Sequence, residues 1–241
     1  MRETLLVARR ELATYLNTTW GWVILAMVLL IDGLLFNAFA LTEAPRYSAD
    51  VLEDFFFFSS GTTMIAGVLL SMRLIAEERQ SGTLVLLETA PVTEAQIILG
   101  KFLGAFGFLA VITLATVYMP ILIEVNGKIG WEQIATGYLG LLGLGASAVA
   151  IGTFGSALAR NQLSAAVIGA VMLVMMLLGW LLARITESPI SDVLAYGALF
   201  DRHFQPFMRG RVNTESIVFY TTVVFAFLMM ATHVLQSRRQ A

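Results

Sequence analysis

Little in this chain can do covalent chemistry. There is no cysteine, which rules out disulfides, thiolate metal sites and cysteine nucleophiles. His203 and His233 are the only histidines, so no metal site is expected. The two Gly-Lys pairs are Gly100-Lys101, followed by Phe102, and Gly127-Lys128, followed by Ile129. Neither has the glycine five residues earlier, or the Ser/Thr after the lysine, that a phosphate-cradling loop needs. No paired acids suited to general acid–base work lie within the apolar runs. No catalytic residues are therefore assigned. The charged chemistry that remains is gathered in AEERQSGTLVLLETAPVTEAQIILGK, Ala76 to Lys101. There Glu77, Glu78, Glu88, Glu94 and Arg79 sit between two long apolar stretches. Ionic groups beside an apolar stripe suit gripping by another protein.

The elements that must position this island are membrane spans. Of the 241 residues, 58% are hydrophobic and 13% charged, about half the charge of an ordinary soluble domain. Six apolar runs are long enough to cross a hydrocarbon core of about 30 Å. They lie near 20–41, 56–75, 97–123, 134–158, 163–183 and 217–235. The first begins too late, and runs too long without a small-residue cleavage pattern, for a signal peptide; it reads as a retained span. The formal charge of −2 gives no reason to expect nucleic acid as a partner. Six spans put both termini on one side. With cytoplasmic termini, the inner segments hold Arg2, Arg9, Arg10, Arg73, Arg79, Lys101, Arg160, Arg238 and Arg239. The outer segments hold Arg46, Lys128, Arg184, Arg202, Arg209 and Arg211, and that bias favours this orientation. The expected fold is an all-α membrane protein. Residues 1–19 form an amphipathic interfacial helix with Leu5, Leu6, Leu12, Ala13 and Leu16 on one face and Arg2, Arg9 and Arg10 off it. Residues 20–241 form one six-span domain, with a cytoplasmic loop at 76–95 and an external loop at 184–214.

Within the cytoplasmic loop, Pro91 ends any helix before it. Thr93 then reads as an N-cap and Gln96 completes a T-x-x-Q capping box. Upstream, Ser81-Gly82-Thr83 is a break, followed by a short helix, Thr83 to Thr89, with Leu84 and Leu87 on its apolar face and Glu88 near its end. A helix that short needs tertiary packing. It is either a connector resting on headgroups or a coupling helix docked in a partner's groove. Elsewhere, Asp32 lies mid-span, where a charge costs about 2.5–3.5 kcal/mol, so it should face the bundle interior or a wet cavity. Asn37 follows five residues on, off that face. Asp32 and Asn37 are candidates for a pathway or a dimer seam. Gly152 and Ser156 join them, from a small-residue row with Gly140 and Ala148 that lets helices approach closely. In the outer loop, Val193, Tyr196, Phe200, Phe204, Phe207 and Met208 make a broken apolar stripe. Short helices dipping into the outer leaflet are expected there, with Phe200, Phe204 and Phe207 as an external gate or an interfacial cap.

The segment SMRLIAEERQSGTLVLLETAPVTEAQIILGKFLG resembles the cytoplasmic segment of type-2 ABC-transporter permeases. The matching elements are Glu77-Glu78-Arg79, Ser81-Gly82-Thr83, Leu86-Leu87 and Pro91-Val92. Arg9 to Tyr15, R-R-E-L-x-x-Y, is similar to the family's interfacial helix. The run His203 to Gly210 resembles the external loop of the gliding-motility-associated and nitrous-oxide-reductase-maturation branches. The resemblance implies a half-transporter in a bacterial inner membrane, an exporter subunit paired with a second copy or a homologous permease. Each half would engage a cytoplasmic ATPase that holds ATP and Mg, with none bound by this chain. Glu77, Glu78, Arg79, Ser81, Gly82, Thr83, Leu84, Leu87, Glu88 and Pro91 would make the ATPase contact. A periplasmic accessory protein is a further candidate partner. The alternative is a membrane scaffold through which an ATPase drives a periplasmic machine while nothing crosses the bilayer.

Overall fold

The computed structural model describes residues 2–40, 47–83, 92–127 and 129–239. The chain runs α1 (Arg2–Asn17), α2 (Thr19–Leu35, continued by a π-helical turn Phe36–Ala40), α3 (Ser48–Ser71), α4 (Ala76–Ser81), α5 (Glu94–Ala115) and α6 (Tyr118–Asn126). It continues through α7 (Trp131–Leu158), α8 (Gln162–Leu177), α9 (Gly179–Ile185), α10 (Ile190–Tyr196), α11 (Gln205–Met208) and α12 (Thr214–Arg239). Five helical stretches are long and apolar enough to span a membrane. Counting α8 and α9, bent by 49°, as one broken span makes six. The protein is an all-α membrane protein, as its hydropathy pattern requires.

Breaks within the spans have local causes. α5 cannot run into α6 unchanged, because Pro120 has no N–H for the carbonyl of Thr116; in the first turn of a new helix that loss is harmless. At the α8–α9 bend, Gly179 faces α10. A Cβ there would lie 3.0 Å from the Leu194 carbonyl oxygen.

α7 is the central post, with α3, α5, α8 and α12 packed around it. Its small residues make the close approaches. A Cβ on Gly67 of α3 would lie 2.9 Å from the Ala148 Cβ, one on Gly155 2.9 Å from the Gly169 backbone nitrogen of α8, and one on Gly152 would strike Ser71. Gly152 and Ser156 are thus consumed by packing inside the subunit. Both of these candidates for a pathway or a seam are buried in the subunit.

One apolar cluster fills the half of the bundle near the termini (Tyr15, Ile24, Leu70, Ile98, Phe102, Phe108). The other fills the opposite half (Leu52, Phe55, Phe56, Tyr138, Phe204, Phe207). The face carrying the termini is held together at its rim, where Arg238 near the end of α12 donates to the Leu158 carbonyl at 2.9 Å.

α1 lies along α5. Thr4, Val7, Ala8, Glu11 and Tyr15 point inward, over Gly100 and Gly104. The side chains of Leu5 (70% exposed) and Leu6 (60%) point out, and Arg2 and Arg9 are exposed with them. The outward leucines fit a helix lying in a headgroup layer, with the arginines reaching along it to water.

Candidate functional site

The charged island is built around a break in a helix. α3 stops at Ser71, four residues turn, and α4 begins at Ala76. No proline or glycine lies in Ser71 to Ile75 to cause this. Side chains from other helices take the orphaned backbone groups instead. The Ser156 hydroxyl of α7 accepts from the Ile75 and Ala76 N–H groups, each at 3.0 Å, and donates to the Met72 carbonyl at 3.0 Å. That is a hydroxyl's full capacity, one donor and two acceptor positions. The Tyr15 hydroxyl of α1 donates to the Leu70 carbonyl at 2.8 Å. Burial pushes the Tyr15 phenol well above its ordinary pKa, which keeps the proton it donates. Its ring stacks on Phe108 of α5 at 5.3 Å.

α4 carries the Glu-Glu-Arg run, and each member reaches a different place. Arg79 donates to the Ala157 carbonyl at 3.1 Å and to the Ala159 carbonyl. A guanidinium there caps the open carbonyls of the α7 C-terminus and suits the helix dipole. Glu78 meets Lys101 of α5 at 2.8 Å, and the same ammonium meets Glu11 of α1 at 3.2 Å. Glu77 takes a forked pair of bonds from Arg73, 2.6 and 2.8 Å. The Arg73 guanidinium also faces the Trp20 ring at 6.0 Å, which brings in the start of α2. Arg10, Glu11, Thr14, Arg73, Glu77, Glu78, Ser81, Thr83 and Lys101 surround a cleft of about 230 Å³.

Two caps bound the segment beyond. Gly82 ends α4 with φ 72°, the left-handed conformation that glycine adopts without a side-chain penalty. Its N–H bonds to the Arg79 carbonyl at 3.3 Å. At the other end the expected capping box is complete: the Thr93 N–H donates to Gln96 Oε1 at 3.0 Å and the Gln96 N–H to Thr93 Oγ1 at 3.3 Å. Gln96 also donates through Nε2 to Glu3 of α1 at 3.0 Å. Leu84, Leu87, Glu88 and Pro91, and the short helix expected around them, lie outside the described residues.

The island was expected to be a surface that a partner grips. Within the chain, Glu77 pairs with Arg73 in the turn after α3 and stays partly exposed, Glu78 pairs with Lys101 of α5, and Arg79 caps α7. Ser81 and Thr83 stay exposed, with their hydroxyls 2.8 Å apart. Lys101 was missed because it lies in an apolar run, ILGKFLG. The one signal available was that a cation so placed must find acids.

The other candidates do not join this site. Asp32 is 3% exposed and accepts from Thr62 Oγ1 at 2.7 Å, so it is satisfied within the bundle. Asn37 is exposed on the π-helical turn and is not brought to Asp32. Of the three gate candidates, Phe200 is half-buried. It lines an apolar recess of about 580 Å³ with Phe57, Phe58 and Trp180. Phe204 and Phe207 are core residues, fully buried against Gly140 of α7. His203 was passed over as a residue without a metal partner. It stacks on Phe219 at 3.8 Å, its Nε2–H donates to the Tyr196 carbonyl at 2.9 Å, and its buried Nδ1 has no partner.

These features define a polytopic membrane subunit, braced by ionic groups on the face that carries its termini. The chain belongs to the ABC-2 transporter family: the family model described as "ABC-2 family transporter protein" matches residues 5–194. A comparison with curated proteins gives no match. Membership makes the chain a permease subunit of an ABC transporter, a kind of subunit that is generally not an enzyme, and implies an ATPase partner and a second permease copy.

Proposed function

We propose that this chain is half of the membrane path of an exporter, with residues 84–91 as the contact through which a cytoplasmic ATPase drives it. The observation that carries this reading is the way the segment is held. It is strung between the Gly82 cap of α4 and the Thr93 capping box of α5. α4 is braced to α5 and α7, and α5 to α1. A push on 84–91 therefore acts on helix ends already tied to the bundle. Leu84 and Leu87 supply the apolar anchors and Pro91 separates them from α5. ATP and Mg sit on the partner, the two halves pair in a bacterial inner membrane, and both termini are cytoplasmic.

The test is Leu84→Asp combined with Leu87→Asp. The double variant should insert and fold normally, but copurify poorly with the ATPase and lose its stimulation of ATP hydrolysis. Normal copurification with full stimulation would refute the coupling role.

A further inference from the structure

Three helices meet on one buried ammonium. The Lys101 side chain is 5% exposed, and its Nζ is shared between Glu78 of α4 at 2.8 Å and Glu11 of α1 at 3.2 Å. A lysine has three donors and no acceptor, so it can hold two carboxylates at once. Arg10 and Arg73 line the same cleft, with Arg73 paired to Glu77, so three cations there face three carboxylates.

A buried ion that loses its partner is costly, whereas one that keeps it can move with it. Displacing α4 must therefore either strip Glu78 from Lys101 or carry Lys101 and Glu11 along. The contact between α1 and α5 favours the second course. Gly100 and Gly104 present no side chain to α1, and a Cβ on Gly104 would come 2.5 Å from the Glu11 Cβ. The notches at these glycines receive Val7 and Glu11, which seats the Glu11 carboxylate beside Lys101 so that the two move together. The remaining polar ties of α1 among the described residues, Glu3 to Gln96, Tyr15 to the Leu70 carbonyl and the Leu16 carbonyl to Trp22, run to α5, α3 and α2. The Lys101 node is what joins α1 to α4.

We infer that Lys101 is a positioning residue that carries displacement of the coupling segment into the interfacial helix α1. The inference rests on the coupling role proposed for residues 84–91. On this account α1 is a moving part of the transport cycle, and the stroke that begins at the ATPase also drags a helix along the membrane surface.

The absence of cysteine lets spin-label pairs be placed without background. One pair, Leu6→Cys with Leu163→Cys, reports α1 against α8. The other, Gln80→Cys with Leu163→Cys, reports α4 against α8. All three positions are exposed. Distances are measured in the complete complex with its ATPase, in vesicles, nucleotide-free and trapped with ATP and vanadate. Both pairs should shift on trapping in the parent chain. Glu11→Met, which keeps the side-chain length and removes both oxygens, should abolish the Leu6 shift and preserve the Gln80 shift. The preserved Gln80 shift also shows that the variant is folded. Lys101→Arg should keep both shifts, and Lys101→Met should lose the Leu6 shift. A full Leu6 shift in Glu11→Met overturns the inference and leaves the coupling reading standing. Absence of a Gln80 shift in the parent removes the coupling reading, and this inference with it.

Discussion

Ser156 shows how much one hydroxyl can decide in a dry interior. It satisfies two N–H groups and a carbonyl at the α3–α4 break, all within the packed bundle. Ser156→Ala leaves these without a partner, at about 1–3 kcal/mol for each group left unsatisfied. The expected outcome is a marked fall in the melting temperature of the detergent-solubilised chain, with faster hydrogen exchange at residues 72–76; an unchanged melting curve would contradict it. His203 makes a second residue-scale case, on the opposite face. Burial lowers its pKa from 6.5, because the charged ring would be desolvated and its Nδ1 has no acceptor. The groups around it are the Tyr196 carbonyl, the Tyr220 ring, Glu215 and Arg202. A group whose folded pKa is depressed binds fewer protons in the folded state, so stability falls as pH drops through the unfolded value. Segment 196–208 should therefore loosen below about pH 6.5, the ordinary histidine value. Hydrogen exchange across that segment should rise with acid in the parent chain and lose most of this pH dependence in His203→Phe, whose ring can keep the stack on Phe219.

Among the elements, α5 has its start set locally. Thr93 and Gln96 form their box from residues three apart, and Pro91 precedes it. That is why this boundary was legible in the sequence. Thr93→Ala should cost about 1 kcal/mol of helix stability. Because the same box anchors one end of segment 84–91, the variant should also lower stimulation of the partner ATPase while leaving assembly intact. Equal stimulation, with exchange at residues 94–97 confirmed to be faster, would show that the anchor is not needed. The α3–α4 break was not legible, because its causes, Ser156 and Tyr15, lie 80 and 55 residues away along the chain. The face that α1 turns to the protein was not legible for a related reason. A leucine stripe at helical spacing faces whatever is apolar, and here that is the surroundings, not the protein. The inward face was set instead by the glycines of α5. The Glu-Glu-Arg run was recognised as unusual, but whether such charges face a partner or their own chain depends on Lys101 and on the end of α7, which only the fold brings near.

At the scale of the whole molecule, the question with the largest consequence is which face meets the cytoplasm. The described helices place α1, α4 and the end of α12 on one face, and α10 and α11 on the other. Several cations that bear on orientation are paired: Lys101 with Glu11 and Glu78, Arg73 with Glu77, Arg209 with Glu53, and Arg202 with Glu215. Pairing does not cancel their influence, since orientation follows the lysine and arginine count near the spans and acids contribute little. The arginines of the terminal face, above all Arg2, Arg9, Arg10 and Arg160, are then expected to hold that face inside. A cysteine-free chain makes the test direct. In intact cells a membrane-impermeant thiol reagent should label Val193→Cys, 71% exposed on α10, and leave Gln80→Cys on α4 unlabelled until the membrane is opened. The reverse pattern would put the Glu77–Glu78–Arg79 face outside. No cytoplasmic ATPase could then reach segment 84–91, and the proposed coupling would fail on topology alone.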